Sequence, residues 1–309
     1  MLLKAAKKVR NLLNLPLKVE GLRPVEILDI KHPKVIAGRT LANLNNHIFK
    51  QVNRLSDVEF QVYSQWGDDG IIQWLINKVD MPNKTFVEFG VQDYTESNTR
   101  FLLVNNQWEG LVMDGSEKYM NFVKNDRISN HHHIHAKNVF ITRENINQLL
   151  SNLPFDKPLD ILSIDIDGND YYIWKEVNVV NPILVISEYN AIFGLNPWTI
   201  PYKADFVRPY DNPTMIFYGT SLQSLCDLAE EKGYYFIGCN SAGNNAYFLR
   251  KDKIGDIKPL TAAEGFETAK FRETRDERGE WIADKDRFRV VDQMEVYNTR
   301  TRSVEKFTS

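Results

Sequence analysis

An α/β fold, with a mostly parallel seven-stranded sheet wrapped by helices and closed by an antiparallel terminal hairpin, is predicted on three observations. Short apolar runs alternate with helix-length segments from residue 84 to residue 188, a rhythm that builds right-handed crossovers and hence parallel strands. Two further strand-like runs, "YYFIGC" and "AYFLR", are separated only by a short Ser/Gly/Asn segment. That makes a hairpin, and it sends the final strand back against the others. Finally, 309 residues, 43% hydrophobic and 26% charged, suffice for one large soluble domain with appendages.

Residues 1–60 read as a helical or irregular N-terminal extension, because Pro16, Pro24 and Pro33 interrupt any long element. Its first stretch, "MLLKAAKKVRNLLNL", places Leu2, Ala6, Val9 and Leu13 at helical spacing among Lys and Arg. This is a basic amphipathic helix over residues 1–15, suited to packing on its own domain or a partner subunit, to an anionic membrane surface, or to organelle targeting. In "YSQWGDDGIIQWLINKV" the stripe Ile71, Ile72, Leu75, Ile76 and Val79 predicts a helix starting near Asp69. The main domain, residues 61–250, then carries strands at 84–89, 109–113, 131–136, 160–166 and 182–188. Helices are expected near 96–106, 116–127, 143–150, 169–177 and 219–232. Residues 251–309 mix acidic and basic residues with aromatics, and Trp281, Phe288, Val290 and Val291 predict an extension folded over the core rather than a disordered tail.

A formal net charge of −3 gives no global attraction to nucleic acid, which is not expected as a partner. Two cysteines, Cys226 and Cys239, make neither a disulfide framework nor a cysteine zinc site, as in a reducing compartment. No apolar run is long enough to span a bilayer and no secretory h-region opens the chain. A cytoplasmic protein is expected, at most peripheral to a membrane, with its oligomeric state left open.

Ligands of open α/β sheets bind beyond the carboxyl ends of the strands, so the strand ends carry the candidates. "FVEFGVQDYTESNT" supplies Glu88 and the lone glycine Gly90. A dinucleotide pyrophosphate wants a glycine-rich cradle at a helix N-terminus; one carboxylate and one glycine suit a ligand with an amine and no phosphate, such as S-adenosylmethionine. Asp114 follows Gly90 by 24 residues, the place from which a carboxylate grips ribose hydroxyls, although an N-cap role fits as well. Asn138 lies just past the third strand, where its amide suits an adenine edge, although a solvent-facing loop asparagine fits as well. The run His131–His132–His133 alternates faces along a strand and is not read as a metal site. In "ILSIDIDGNDYYIW", Asp165, Asp167 and Asp170 crowd together, and Glu188 closes the fifth strand. Such crowding repels unless a cation or a substrate proton relieves it. Asp167 and Glu188, with Asn190 nearby, are candidate ligands of Mg²⁺ or another divalent ion, while a turn at Asp167–Gly168 and an N-cap at Asp170 are the structural alternatives.

Together, "YSQWGDDGII", "FVEFGVQDYTESNT", "GLVMDGSEKY", "SIDIDGNDYYIW" and "ISEYN" resemble the FkbM-type S-adenosylmethionine-dependent methyltransferases, over about residues 60 to 250. The resemblance implies a Rossmann-like class I methyltransferase fold, with Glu88, Gly90 and Asp114 holding the cofactor and Asp165 and Gln65 beside it. It also implies O-methyl transfer to a sugar hydroxyl of a glycan or surface polysaccharide. Metal-dependent sugar O-methyltransferases carry an acidic D-G-x-H turn after strand four and an acidic pair after strand five. Here Asp170 stands at the position of the histidine base and Tyr189 at that of the second acid. Asp170 is accordingly the candidate base, Asp167 and Glu188 bind metal or acceptor hydroxyl, and Trp198 and Tyr202 are candidates for stacking on a sugar. Gln65 and Asp68 would fold over the cofactor. Two rivals are a non-catalytic scaffold in a glycan-assembly complex, disfavoured by the acidic cluster, and an NAD-dependent oxidoreductase, disfavoured by the missing glycines.

Overall fold

The computed structural model describes residues 33–308, except 213, 271–275, 277, 279 and 283; the basic helix expected over residues 1–15 lies outside the described residues. The chain builds α1 (Pro33–Ile48), α2 (Asp68–Lys78), β1 (Thr85–Phe89), α3 (Arg100–Asn106), β2 (Glu109–Asp114), α4 (Glu117–Asn125), α5 (Arg127–His131) and β3 (Ile134–Asn138). It continues with α6 (Ile146–Ser151), β4 (Ile161–Ile164), α7 (Asp170–Glu176), β5 (Leu184–Glu188), β6 (Trp198–Thr199), α8 (Arg208–Asp211), α9 (Leu222–Lys232), β7 (Tyr234–Cys239) and β8 (Asn245–Arg250). After these come α10 (Ala262–Gly265), α11 (Asp284–Val291), β9 (Glu295–Asn298) and β10 (Ser303–Lys306).

The seven-stranded sheet runs β3-β2-β1-β4-β5-β8-β7, and the pairings on either side of β8 are antiparallel while the others are parallel. This is the Rossmann-like class I arrangement expected above. Strand periodicity divides the core in two: Phe86, Val112, Ile161 and Ile186 face one layer of helices, and Val87, Met113, Leu162 and Val185 face the other. On the second face Trp174 packs on Phe248 with ring centroids 4.8 Å apart. Burying both faces explains why these strands read as near-continuous apolar runs.

The structure departs from the sequence expectations at three places. Pro33 begins α1 rather than interrupting it, since a proline at the first helical position gives up an N–H that has no intrahelical acceptor anyway. The histidine run ends α5, and β3 starts only at Ile134. The stretch after β5, expected to be irregular, contributes β6 to a second sheet, β10-β9-β6. That sheet covers a third apolar cluster in which Phe193, Ile216, Val296 and Phe307 are buried and Phe206 is partly buried.

Candidate functional site

Strand order reverses at β1, which lies between β2 and β4, and the loops beyond the carboxyl ends of these strands frame a cleft, as the topology of open α/β sheets requires. Gly90 stands at its floor with φ +69°, and a Cβ there would come within 1.7 Å of the Asp165 carbonyl oxygen. Its N–H donates to the Met113 carbonyl at 2.9 Å. The lone glycine is thus required by backbone packed against backbone, with no side chain admitted between the ends of β1 and β4.

Two cavities open on either side of this floor, and Gly90, Gln92 and Asp165 line both. The first, of about 310 Å³, is walled by Met113, Tyr119, Val139, Phe140 and Ile141 on one side and by Phe206–Pro209 on the other. Asp114 lies at its edge; Oδ2 accepts from Gln92 N at 2.9 Å and Oδ1 from Ser116 N at 2.7 Å. Each carboxylate oxygen has a second lone pair, so the group retains acceptor capacity toward the cavity. Asn138 does not line the cavity: its exposed amide donates to the Asp114 carbonyl at 3.1 Å, and the neighbours Val139 and Phe140 take the wall. The adenine-edge role expected of Asn138 has no geometric basis here, because its side chain braces the end of β2.

The second cavity, of about 300 Å³, is polar and includes Gln65, Glu88, Ser97, Asn98, Asn244 and Asn245. Among described residues, the buried Ser97 Oγ and Asn245 Oδ1 have no hydrogen-bond partner, so a ligand with polar atoms is what would satisfy them. Glu88 is buried and spends both oxygens on the start of α3: Oε1 accepts from Asn98 N at 2.8 Å and Oε2 from Thr99 N at 3.0 Å. Burial pushes its pKa up to about 7, against the pull of the Thr99 and Asn98 hydrogen bonds. Its carboxylate shapes the cavity by fixing the loop between β1 and α3.

At the ends of β4 and β5, oxygens of Asp165, Asp167 and Glu188 all lie within 4.8 Å of one another. Burial first, then the charges of Asp167, Asp170 and Glu88, raise the Asp165 pKa well above the ordinary carboxylate range. Burial, then Asp165 and Asp167, do the same to Glu188. Two such carboxyls hold a proton between them more readily than two charges. The Asp165 carboxylate makes no side-chain hydrogen bond to a described residue. Glu188 accepts from the Tyr218 hydroxyl at 3.4 Å through Oε1, and its buried Oε2 has no partner.

Two candidates from the sequence are already committed elsewhere. Asp170 is buried and lines neither cavity; its Oδ1 accepts from Ile166 N at 2.9 Å and Oδ2 from Gly168 N at 3.0 Å. It ties down the turn ahead of α7, whose N-cap is Asn169 rather than Asp170, and is not poised as a base. Asn190 donates to the carbonyls of Ile216 at 2.7 Å and Tyr218 at 3.0 Å and accepts from Ile192 N at 3.1 Å, so its amide oxygen is not offered to a metal. Asp165 takes its place beside Asp167 and Glu188.

Arg208 had no motif to announce it. Nη1 donates to Asp167 Oδ1 at 2.6 Å, Nε and Nη2 donate to the Met215 carbonyl at 3.0 and 2.7 Å, and the guanidinium lies 3.6 Å from the Tyr218 ring centroid. The signal in the sequence was indirect: an acidic cluster this dense wants a cation.

The remaining candidates line neither cavity. Asp68 is buried in a network with Asn240, Asn245 and Tyr247 that docks α2 onto the terminal hairpin. Trp198 is buried against Phe307, and Tyr202 packs on Tyr172 with Arg143 over its ring. Neither lines either cavity.

Neither a protein-family model nor a curated protein matches the chain. Among solved structures, an S-adenosylmethionine-dependent methyltransferase from Clostridium acetobutylicum is 12% identical at a TM-score of 0.38, the match covering 69% of this chain and 98% of that one. A Podospora anserina methyltransferase with S-adenosylhomocysteine bound is 13% identical over 81% and 96% of the two chains, with a TM-score of 0.38. An O-methyltransferase from Bacillus cereus, also with S-adenosylhomocysteine, is 13% identical over 80% and 90%, with a TM-score of 0.34. All three scores are below 0.5; the fold rests on the strand order itself. No helix among the described residues is long and apolar enough to cross a membrane.

Proposed function

We propose that the protein is an S-adenosylmethionine-dependent O-methyltransferase whose acceptor is a sugar hydroxyl in a glycan or related small molecule. The observation that carries this reading is Asp165 beside Gly90, shared by an apolar cavity and a polar one at the point where strand order reverses. A ligand with a flat apolar base at one end and an amino-acid zwitterion at the other fits two such compartments. The adenosine would lie between Phe140 and the Phe206–Pro209 wall, its ribose toward Asp114, and the methionine end would reach the orphaned Ser97 and Asn245.

When bound, the cofactor supplies an electrophilic methyl group on a cationic sulfur. The chain's part is to hold an acceptor oxygen in line with that methyl and to receive its proton, which together provide much of the rate. Asp165, in its ionised form, is the base this geometry favours; Glu188, buried beside it, shares the proton and keeps the Asp165 carboxylate basic. The sugar identity of the acceptor rests on the FkbM resemblance.

A divalent cation is a poor fit. The three clustered carboxylates offer hard oxygen ligands, as such ions prefer. However, Asp167 already carries a guanidinium at 2.6 Å, Asn190 and Asp170 are spent on backbone, and a positive group so close repels a dication.

The test is calorimetric titration of S-adenosylhomocysteine, followed by transfer of labelled methyl from S-adenosylmethionine to a panel of neutral, amino and acidic glycans. Micromolar binding with label on a hydroxyl is expected. Absence of binding would instead favour the scaffold reading.

A further inference from the structure

We propose that Arg208 is the built-in cation of this site, a positioning residue that does for the carboxylate cluster what a divalent metal would do. Only the ligand-affinity arm of the test rests on the methyltransferase reading.

Asp165, Asp167 and Glu188 converge within 4.8 Å, and the repulsion among three carboxylates is relieved by a shared proton together with a nearby positive charge. Arg208 supplies it from inside the protein. Its residue is only 7% exposed, and a guanidinium, being delocalised and weakly hydrated, is the cation best suited to such burial. The group is fixed on three sides, by Asp167, by the Met215 carbonyl and by the Tyr218 ring; Tyr218 in turn reaches Glu188.

The same residue belongs to the cavity wall. Phe206, Val207, Arg208 and Pro209 all line the apolar cavity, and Phe206 lies so close to Gly168 that a Cβ there would meet its ring at 2.3 Å. The Arg208–Asp167 pair therefore joins the wall to the end of β4. It also holds Asp167, a non-glycine residue at φ +58°, in a backbone state that persists only where surroundings enforce it. A metal in this cluster would have to displace the guanidinium and release the wall.

The experiment compares wild type with Arg208→Lys, Arg208→Gln and Asp167→Asn, each checked for folding by circular dichroism. Mn²⁺ binding is followed by electron paramagnetic resonance, and S-adenosylhomocysteine affinity by calorimetry with EDTA or Mn²⁺. Wild type should bind no stoichiometric Mn²⁺ at submillimolar concentration, and its ligand affinity should ignore EDTA. Arg208→Gln should gain a Mn²⁺ site and lose affinity for S-adenosylhomocysteine by about tenfold or more, as expected for removal of a charge-assisted pair whose guanidinium is buried and whose carboxylate is half exposed. Arg208→Lys, a point charge without the planar fork, should fall between the two. Asp167→Asn should lose ligand affinity without gaining Mn²⁺, and it carries the test should Arg208→Gln not fold. A wild-type protein that binds one Mn²⁺, or an Arg208→Gln variant that gains no Mn²⁺ site, would overturn the proposal. Failure of wild type to bind S-adenosylhomocysteine would sink the methyltransferase reading and leave the Mn²⁺ comparison to decide Arg208.

Discussion

At the scale of single residues, the cleft is built on close approach rather than on a phosphate cradle. Gly90→Ala would force a Cβ into the Asp165 carbonyl from a left-handed backbone. The left-handed state alone costs about 1–2 kcal/mol for a residue with a Cβ, and the overlap adds to it. A lowered melting temperature together with lost S-adenosylhomocysteine binding is expected; a variant as stable as wild type would show that the strand ends can part. Asp114→Ala should weaken binding by about 1–3 kcal/mol if the carboxylate bonds the ribose, measured by calorimetry. Phe140 is 45% exposed although it walls the cavity, so little of the core depends on it. Phe140→Ala should reduce affinity while leaving the melting temperature nearly unchanged.

At the scale of elements, the central strands of the main sheet were legible in the sequence, because strands buried on both faces announce themselves as apolar runs, and the Gly/Asn turn revealed the hairpin; the edge strand β3, mostly open to solvent, was placed too early. The second sheet was not. Two-residue β6 has no periodicity to detect, and β9, which pairs with it, and β10 beyond carry much of their surface in solvent. Among site residues, Gly90, Asp114, Asp165, Asp167 and Glu188 were placed at the cleft by the rule of strand carboxyl ends. Asp170 and Asn190 obeyed the same rule and still went elsewhere, since a short carboxylate or amide at a turn finds its own backbone first. Arg208 opens α8, 41 residues from Asp167 in sequence, and only the folded chain brings the two together. Asp170→Asn retains just one strong acceptor for the two turn N–H groups. It should therefore destabilise the fold by about 1–2 kcal/mol, and a loss of activity with no loss of stability would restore Asp170 as a base.

At the scale of the whole molecule, several carboxyls are buried with pKa values raised by desolvation: Glu88 to about 7, and Asp69 and Asp170 to about 6. A raised folded-state pKa favours the protonated native form, so this contribution is complete below pH ~4, near the unfolded values, and is lost as pH climbs through 6 to 7. Melting temperature should therefore fall between pH 5 and pH 8. Exposed carboxylates such as Glu144, held at about 2 by the Tyr202 hydroxyl and Arg143, titrate below that window. A melting temperature that rose over this range would contradict a native state that holds these protons more tightly than the unfolded chain does. The same ionisation should favour a cationic sulfur: the affinity of S-adenosylmethionine relative to S-adenosylhomocysteine should increase with pH as Asp165 and Glu188 lose their shared proton.

The second sheet also bears on how this protein is cut for expression. Val291, Val296 of β9 and Phe307 just beyond β10 join Phe193, Ile216 and Phe206 in one cluster, and Phe206 is at once part of that cluster and part of the cavity wall. A fragment ending at residue 250 would keep every strand of the main sheet yet present this apolar cluster to water. Such a fragment should aggregate when it is concentrated, and whatever remained soluble should bind ligand weakly through a wall with nothing behind it.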